Sequence, residues 1–328
     1  MVFHEIAVEP NAIHTLRDIQ LVLGYVGFSK GRLIANFPEC GPCKDKEDED
    51  WAWRVVQSIK RTQIGKAPKV RELLIDERKK ILRIKRCFDH DLEWIENARF
   101  EHIKTPFGAI IAENPKSSDF ECSLDDFSDK NCPLCLREDQ HVQALPKQPD
   151  RFATALMPML RCASQLRFVD PHYLFKRNKA DNVVQFSSRH AKVVQEIAIK
   201  MEAFKRVPRI IEFHVLGVSD QPEDDIKYFV ESMEAHLPKT WKAKAFLWHE
   251  KPSGKRFHAR YLLTDAGGVG SEYGLDAGRT ATKGGITEDE TDLYLLPEPL
   301  RVKRTMDFDV KGNKFTLATE PIEFSGIR

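Results

Sequence analysis

The sequence predicts an α/β protein in two parts. A mainly helical α+β domain covers residues 1–115, a layered α/β domain with a mixed β-sheet covers 151–328, and 116–150 forms a linker or cysteine-containing insert between them. Three observations carry this. From Arg151 onward, short runs rich in branched and aromatic residues alternate with segments of helical periodicity, the pattern of a sheet layered with helices. Upstream, apolar residues recur instead at three- and four-residue spacing. Between the two, the chain turns to Asn-Pro-Lys-Ser-Ser-Asp, Asp125-Asp126, Asp129 and several prolines.

Taken in order, residues 11–24 carry Ile13, Leu16, Ile19 and Leu23 on one helical face, with Gly24 as the stop. Residues 33–37 read as a short strand, 51–61 and 69–86 as two helices, and 107–112 as another strand. In the second part, strands are expected over 166–170, 209–218, 242–248 and 256–264, with helices over 191–205 and 223–236. Further strands are expected over 292–296 and 315–318. The chain carries no internal repeat and no low-complexity segment.

At 328 residues the chain can bury two cores of ordinary size. A net charge of +1 gives no global attraction to nucleic acid or to an anionic membrane, so any such affinity must be local. No apolar run approaches the ~18 residues of a membrane span. The first residues lack the basic start and apolar core of a signal peptide. Seven cysteines, an odd number, then fit a reducing compartment, and the expected location is the cytoplasm.

One local patch stands out. From Lys60 to Arg86 there are eleven Lys/Arg against three Asp/Glu, a net of +8. As a helix this segment is either a solvated amphipathic face or a surface for the phosphate backbone of nucleic acid. Lys79, Lys80, Arg83 and Arg86 are its candidate contacts.

Cys40-Gly-Pro-Cys43 and Cys132-Pro-Leu-Cys135 are two Cys-x-x-Cys pairs. Together they have the donor set of a tetrahedral structural zinc, although their wide separation in sequence is unlike a compact ribbon. Unmetallated cysteines and a redox pair are the alternatives; the redox pair is disfavoured because neither motif follows a strand and opens a helix. Cys87-Phe-Asp-His90 is read as structural, and Cys162 as a core residue.

The segment richest in chemistry is Phe257-His-Ala-Arg-Tyr-Leu-Leu-Thr-Asp-Ala-Gly-Gly-Val-Gly-Ser271. On an extended strand, His258 and Arg260 share one face. Arg260 has the fixed charge and planar fork that suit phosphate. Asp265 can orient an imidazole. Ser271 with the backbone around Gly268 and Gly270 can form an anion-holding turn. His214, on a strand, and His172, in the turn Asp170-Pro-His172, are candidate acid–base groups, and each is also open to reading as a partly buried structural histidine. His190-Ala-Lys192 repeats the opening spacing, but Ile197 stands where an aspartate would complete it, and the match is read as accidental.

The spacing His-x-Arg-x-x-x-x-Asp followed by Gly-Ser resembles the His-x-Lys-x-x-x-x-Asp signature of the phospholipase D superfamily. The segment Leu166-Arg-Phe-Val-Asp-Pro-His172 is similar to the early core strand of such domains. The resemblance covers roughly residues 150–310. It departs from the family at Arg260, where the family has Lys, and at Glu272-Tyr273, where Gly-Ser-x-Asn is usual. It implies a phospholipase D-like layered mixed sheet, with His258 as a nucleophile forming a phosphohistidine. It implies metal-independent phosphodiester chemistry, on lipid or nucleic acid; the basic Lys60–Arg86 segment favours nucleic acid, and the architecture resembles components of prokaryotic defence or mobile-element systems. Because the family brings two histidine strands together, it also implies a homodimer. The alternative is an inactive subunit that binds nucleic acid or a protein within a larger complex.

Overall fold

Short, wholly apolar segments separated by amphipathic helices build parallel sheets, because such strands must be covered on both faces. The N-terminal part of this protein follows that rule. The structure, a computed structural model, describes residues 3–38, 50–82, 86–128, 142–176, 183–204, 207–251, 254, 256–258, 260–278, 289–312 and 314–328. It divides into two units, Phe3–His141 and Val142–Arg328.

The first unit runs β1 (His4–Val8), α1 (Leu16–Tyr25), β2 (Arg32–Ala35), α2 (Trp51–Thr62), α3 (Ala67–Asp76) and β3 (Ile81–Leu82). It continues with α4 (Trp94–Lys104), β4 (Ala109–Ile111), β5 (Glu121–Cys122) and α5 (Leu124–Ser128). Its sheet has the order β3-β2-β1-β4-β5, and every pairing is parallel. Ile6 in the central strand pairs with Ile34 on one side and Ala109 on the other. These residues join Trp51, Val55 and Ile59 of α2 in one core. Each such side chain contributes about 1.5–3 kcal/mol by leaving water. The Trp51 indole donates to the Val8 carbonyl at 2.6 Å, which fixes α2 over β1.

Local signals explain the helix limits. Thr15 and Asp18 form a reciprocal capping box, so α1 begins at Leu16, later than its apolar periodicity suggests. The single helix expected over 69–86 does not form. The α3 helix ends at Asp76, a 3₁₀ turn spans Arg78–Lys80, and Ile81–Leu82 joins the sheet beside Ile34–Ala35. Apolar pairing at the sheet edge overrides helical propensity there. The stretch expected to be a linker supplies β5 to this sheet, and its last residues belong to the second unit.

The second unit runs β6 (Val142–Pro146), α6 (Pro149–Cys162), β7 (Gln165–Val169), a small hairpin β8 (Leu174–Lys176) and β9 (Val184–Phe186), then α7 (Ser188–Ala203). After it come β10 (Ile210–Leu216), α8 (Pro222–Glu234), β11 (Lys242–His249), β12 (Tyr261–Thr264), β13 (Gly268–Ser271) and β14 (Glu290–Leu295). The chain ends with α9 (Glu298–Asp307), β15 (Thr316–Leu317) and β16 (Ile322–Ser325). The resulting fold is a mixed α/β layered sheet. Its order is β15-β11-β10-β7-β12-β13-β14-β6, with β16 also on β11. The strands β7, β10 and β11 are parallel, and from β12 onward the ladder is antiparallel.

Consecutive residues of a strand face opposite sides, and β10 shows what covers each. Phe213 packs against Phe229 of α8. His214 packs against Phe308, at the end of α9. His214 is therefore not the acid–base group expected from sequence. It is fully buried, stacks on Phe246 at 4.9 Å and accepts the Trp248 indole N–H at Nδ1, 3.0 Å away. The Nε2 proton then faces Glu212 at 3.4 Å, and Glu212 pairs with Arg167 at 2.6 Å. Burial, with the charge of Arg167, holds the His214 pKa below its ordinary value against the opposing pull of Glu212. A neutral ring wedged among aromatics is a core element with no path to a substrate.

Candidate functional site

The junction between the parallel and antiparallel halves of the second sheet gathers its ionisable residues. Tyr261 pairs antiparallel with Val169, so Arg260, just before β12, lies across from Asp170, just after β7. The Ser271 N–H bonds the Arg260 carbonyl at 3.0 Å, which adds the end of β13 to the same edge. The site thus forms at the carboxyl end of β7, where open α/β sheets commonly bind ligands.

Asp170 is its buried anion, only 4% exposed. One carboxylate oxygen accepts the His172 N–H at 2.8 Å, and His190 Nε2 lies 3.3 Å from the other. Burial pushes the Asp170 pKa up, but His190 and the His172 amide outweigh it and hold the carboxyl below its usual range. His190, in the first turn of α7, is itself buried. Its Nδ1 is 2.6 Å from the hydroxyl of Ser187, and its ring tilts over Tyr173.

Arg260 is the fixed cation. One guanidinium nitrogen donates to the Glu272 carbonyl, and Nη2 is 2.8 Å from His172 Nε2. Arginine only donates, so His172 accepts there and carries its own proton on Nδ1. Burial, with the charges of Arg260, His190 and His258, lowers the His172 pKa against the pull of Asp170. The Arg260 Nε is buried without a hydrogen-bond partner. His258 is solvent-exposed. His258 and Arg260 precede the β12 ladder and lie outside any strand, so the shared strand face expected for them does not form.

Gly274 closes this cluster from above. Its φ is +94°, a conformation that side chains oppose. A Cβ there would lie 3.3 Å from the Asp170 carboxylate and 3.5 Å from His190 Nε2. Ser271 holds this turn. Its hydroxyl donates to the Gly274 carbonyl at 2.9 Å and accepts from Thr291 at 3.0 Å. Thr291 in turn accepts the Tyr273 N–H at 3.3 Å. The variant Gly274→Val is expected to lose about 1–3 kcal/mol from backbone strain, and more from crowding the carboxylate. Urea denaturation measures it, and an unchanged midpoint would show that the turn relaxes freely.

Several sequence expectations change at this point. Asp265 sits beyond the far end of β12 from His258. Its carboxylate binds the Ser164 N–H and hydroxyl at 2.8 and 2.9 Å and the Gln165 N–H at 3.2 Å, pinning the start of β7. Gly268 and Gly270 are not an anion-holding turn. They lie in β13, buried and paired with β12 and β14. A Cβ at Gly270 would fall 2.3 Å from the Tyr294 ring, so any larger residue there would displace that ring. Ser271 is buried and committed to its turn rather than open to an anion.

Among the basic candidates, Arg86 packs over Phe107 and binds Glu5 at 2.8 Å and the Thr105 carbonyl at 2.7 Å. Lys80 binds the Leu23 carbonyl and Glu77, each at 3.0 Å. Lys79 remains on the surface. Arg83 lies outside the described residues, as do Cys40, Cys43, Cys132 and Cys135. Among the described residues no cluster of metal-ligating side chains occurs, and no helix is long and apolar enough to cross a membrane.

The sequence points to the Asp170-Pro-His172 turn, whereas the match at His190 reads there as accidental. His190 lies beyond the β8–β9 hairpin that follows this turn, so no local signal ties it to Asp170.

No protein-family model matches the chain. No curated protein matches it. Among solved structures, it is similar to a polyphosphate kinase from Porphyromonas gingivalis. The identity is 14% and the TM-score 0.28, over 52% of this chain and 26% of that one. It is also similar to a phosphatidylserine synthase from Haemophilus influenzae Rd KW20, at 9% identity and a TM-score of 0.31, over 56% of this chain and 40% of that one. The matched regions thus span less than half of either structure's length.

Proposed function

We propose that this edge of the second unit is a phospholipase D-like phosphodiester site, working without a metal on nucleic acid. The observation that carries the reading is the arrangement around Arg260. The His172 ring lies 2.8 Å from the Arg260 guanidinium, whose buried Nε still has a hydrogen to donate, and the charges of His190 and His258 reach the same ring.

In this reading, a phosphoryl oxygen accepts from Arg260 Nε and Nη2 in the bidentate manner arginine favours. That contact releases His172 Nε2. The negative charge now beside it favours the protonated imidazole. His258 attacks phosphorus, forming a P–N bond as the P–O bond to the leaving group breaks, and protonated His172 gives its proton to that oxygen. Water then attacks the phosphohistidine, returning its proton to His172 as the P–N bond breaks. The buried Asp170 carboxylate keeps the floor of the site negatively charged. With His172 and His190 in the same chain, a second imidazole need not come from a partner, although a homodimer remains compatible. Exposed Lys60, Arg61, Lys66 and Lys69 on the first unit favour a polyanionic substrate, with a role in prokaryotic defence as the corresponding setting.

The test is hydrolysis of a phosphodiester or of single-stranded nucleic acid by the full chain in excess chelator. Arg260→Ala should lose about 10²–10³ in rate, the usual effect of removing a transition-state donor, and Arg260→Lys should retain part of it. Absence of turnover across DNA, RNA and a chromogenic diester, with binding retained and weakened by Arg260→Ala, would instead establish a non-catalytic binding subunit.

A further inference from the structure

The parallel sheet of the first unit, independent of the site above, reverses its winding between β1 and β4. In open sheets wound this way, small molecules bind beyond the carboxyl ends of the strands. Asn36 stands immediately after β2. It is only 5% exposed, and its Oδ1 has no hydrogen-bond partner. Leaving a buried amide oxygen unpaired is costly, and a donor from a ligand would remove that cost.

Asn36 lines a cavity of about 370 Å³, within the ~300–1,000 Å³ typical of small-molecule sites. The other walls are chemically distinct. Leu74 and Ile81 offer apolar surface, Trp53 an indole, Arg71 and Arg78 two guanidinium groups, and Asp50 one carboxylate against them. Both arginines are exposed. An apolar slot with an aromatic ring, a buried acceptor and two guanidinium groups suits a planar amine-bearing base linked to a phosphate.

We infer that this cavity binds an adenine mononucleotide, with the exocyclic amine donating to Asn36 Oδ1, the base against Trp53 and the phosphate on Arg71 and Arg78. This is a binding site distinct from the phosphodiester site and does not rest on that reading. It would give the first unit a ligand of its own.

Titration calorimetry of the full chain tests it with four probes: AMP, purine riboside 5′-monophosphate (which lacks the amine), adenosine and inorganic phosphate. The expected result is saturable binding of one AMP per chain. Binding should weaken at least tenfold, about 1.4 kcal/mol, for purine riboside 5′-monophosphate. It should weaken as much for the Arg71→Ala/Arg78→Ala double variant, whose exposed positions should not disturb folding. Arg260→Ala should bind AMP as the parent does. No saturable AMP binding at millimolar concentration overturns the inference, as does loss of binding in Arg260→Ala but not in the double variant. Inorganic phosphate binding as tightly as AMP, or equal affinity for the two nucleotides, overturns it as well.

Discussion

Replacement of His258 by alanine is expected to abolish turnover while leaving the fold intact. The imidazole is exposed, and it precedes the β12 ladder rather than packing in it. Surface changes of this kind usually alter stability by no more than ~0.5 kcal/mol. Removing a covalent nucleophile, by contrast, costs on the order of 10⁴-fold or more in rate. A loss of that size in single-turnover hydrolysis, with an unchanged denaturation midpoint, would assign the chemistry to this ring. Denaturing gels of the parent protein mixed with labelled phosphodiester should trap an acid-labile phosphohistidine, absent from the variant. A His258→Ala variant retaining activity within tenfold of the parent would place the nucleophile elsewhere.

The second large effect is expected at Asp170, on stability as well as rate. Its carboxylate is buried against His190 and bonds the His172 amide. Deleting a buried carboxylate leaves the donors it served unsatisfied, typically at about 1–3 kcal/mol each. Asp170→Ala should therefore unfold at markedly lower urea. The pH dependence has a definite sign. The Asp170 pKa is lower in the fold than in the unfolded chain. Its contribution is then fully present above about pH 4, the unfolded carboxylate value, and is lost as pH falls through the folded value. In Asp170→Asn that part of the acid limb should vanish. His172 and His214 act separately, at higher pH. Their lowered values mean that the unfolded chain takes up protons first, so stability declines as pH drops below about 6.5. Urea midpoints of parent and variant between pH 3 and 8 separate the two effects. An Asp170→Ala variant within ~1 kcal/mol of the parent would mean that the pair does not hold the site together.

The alternation of strands and helices after Arg151 was legible because burial on a sheet imposes its own periodicity. His258, Arg260 and the Asp170-Pro-His172 turn were legible because their chemistry is local. What misled the sequence reading was long-range in origin. Gly268 and Gly270 looked like a turn, yet the Tyr294 ring on the neighbouring strand covers Gly270. Asp265 fitted a motif by spacing but anchors Ser164, about a hundred residues upstream. His190 was set aside for want of an aspartate downstream, while its partner Asp170 comes from another element entirely. The basic run was read as one helix because its charges mask the two-residue strand that joins the sheet.

The participants at Arg260 come from the end of β7, the first turn of α7, the approach to β12 and the turn after β13. Asp170 and Gly274 are about a hundred positions apart along the chain, and their approach requires the central ladder to have closed first. Contacts between such distant positions are the slow ones to form. Formation of the Asp170–Gly274 contact during refolding should consequently lag behind recovery of helix content, so a probe at this site reports completed assembly rather than early collapse.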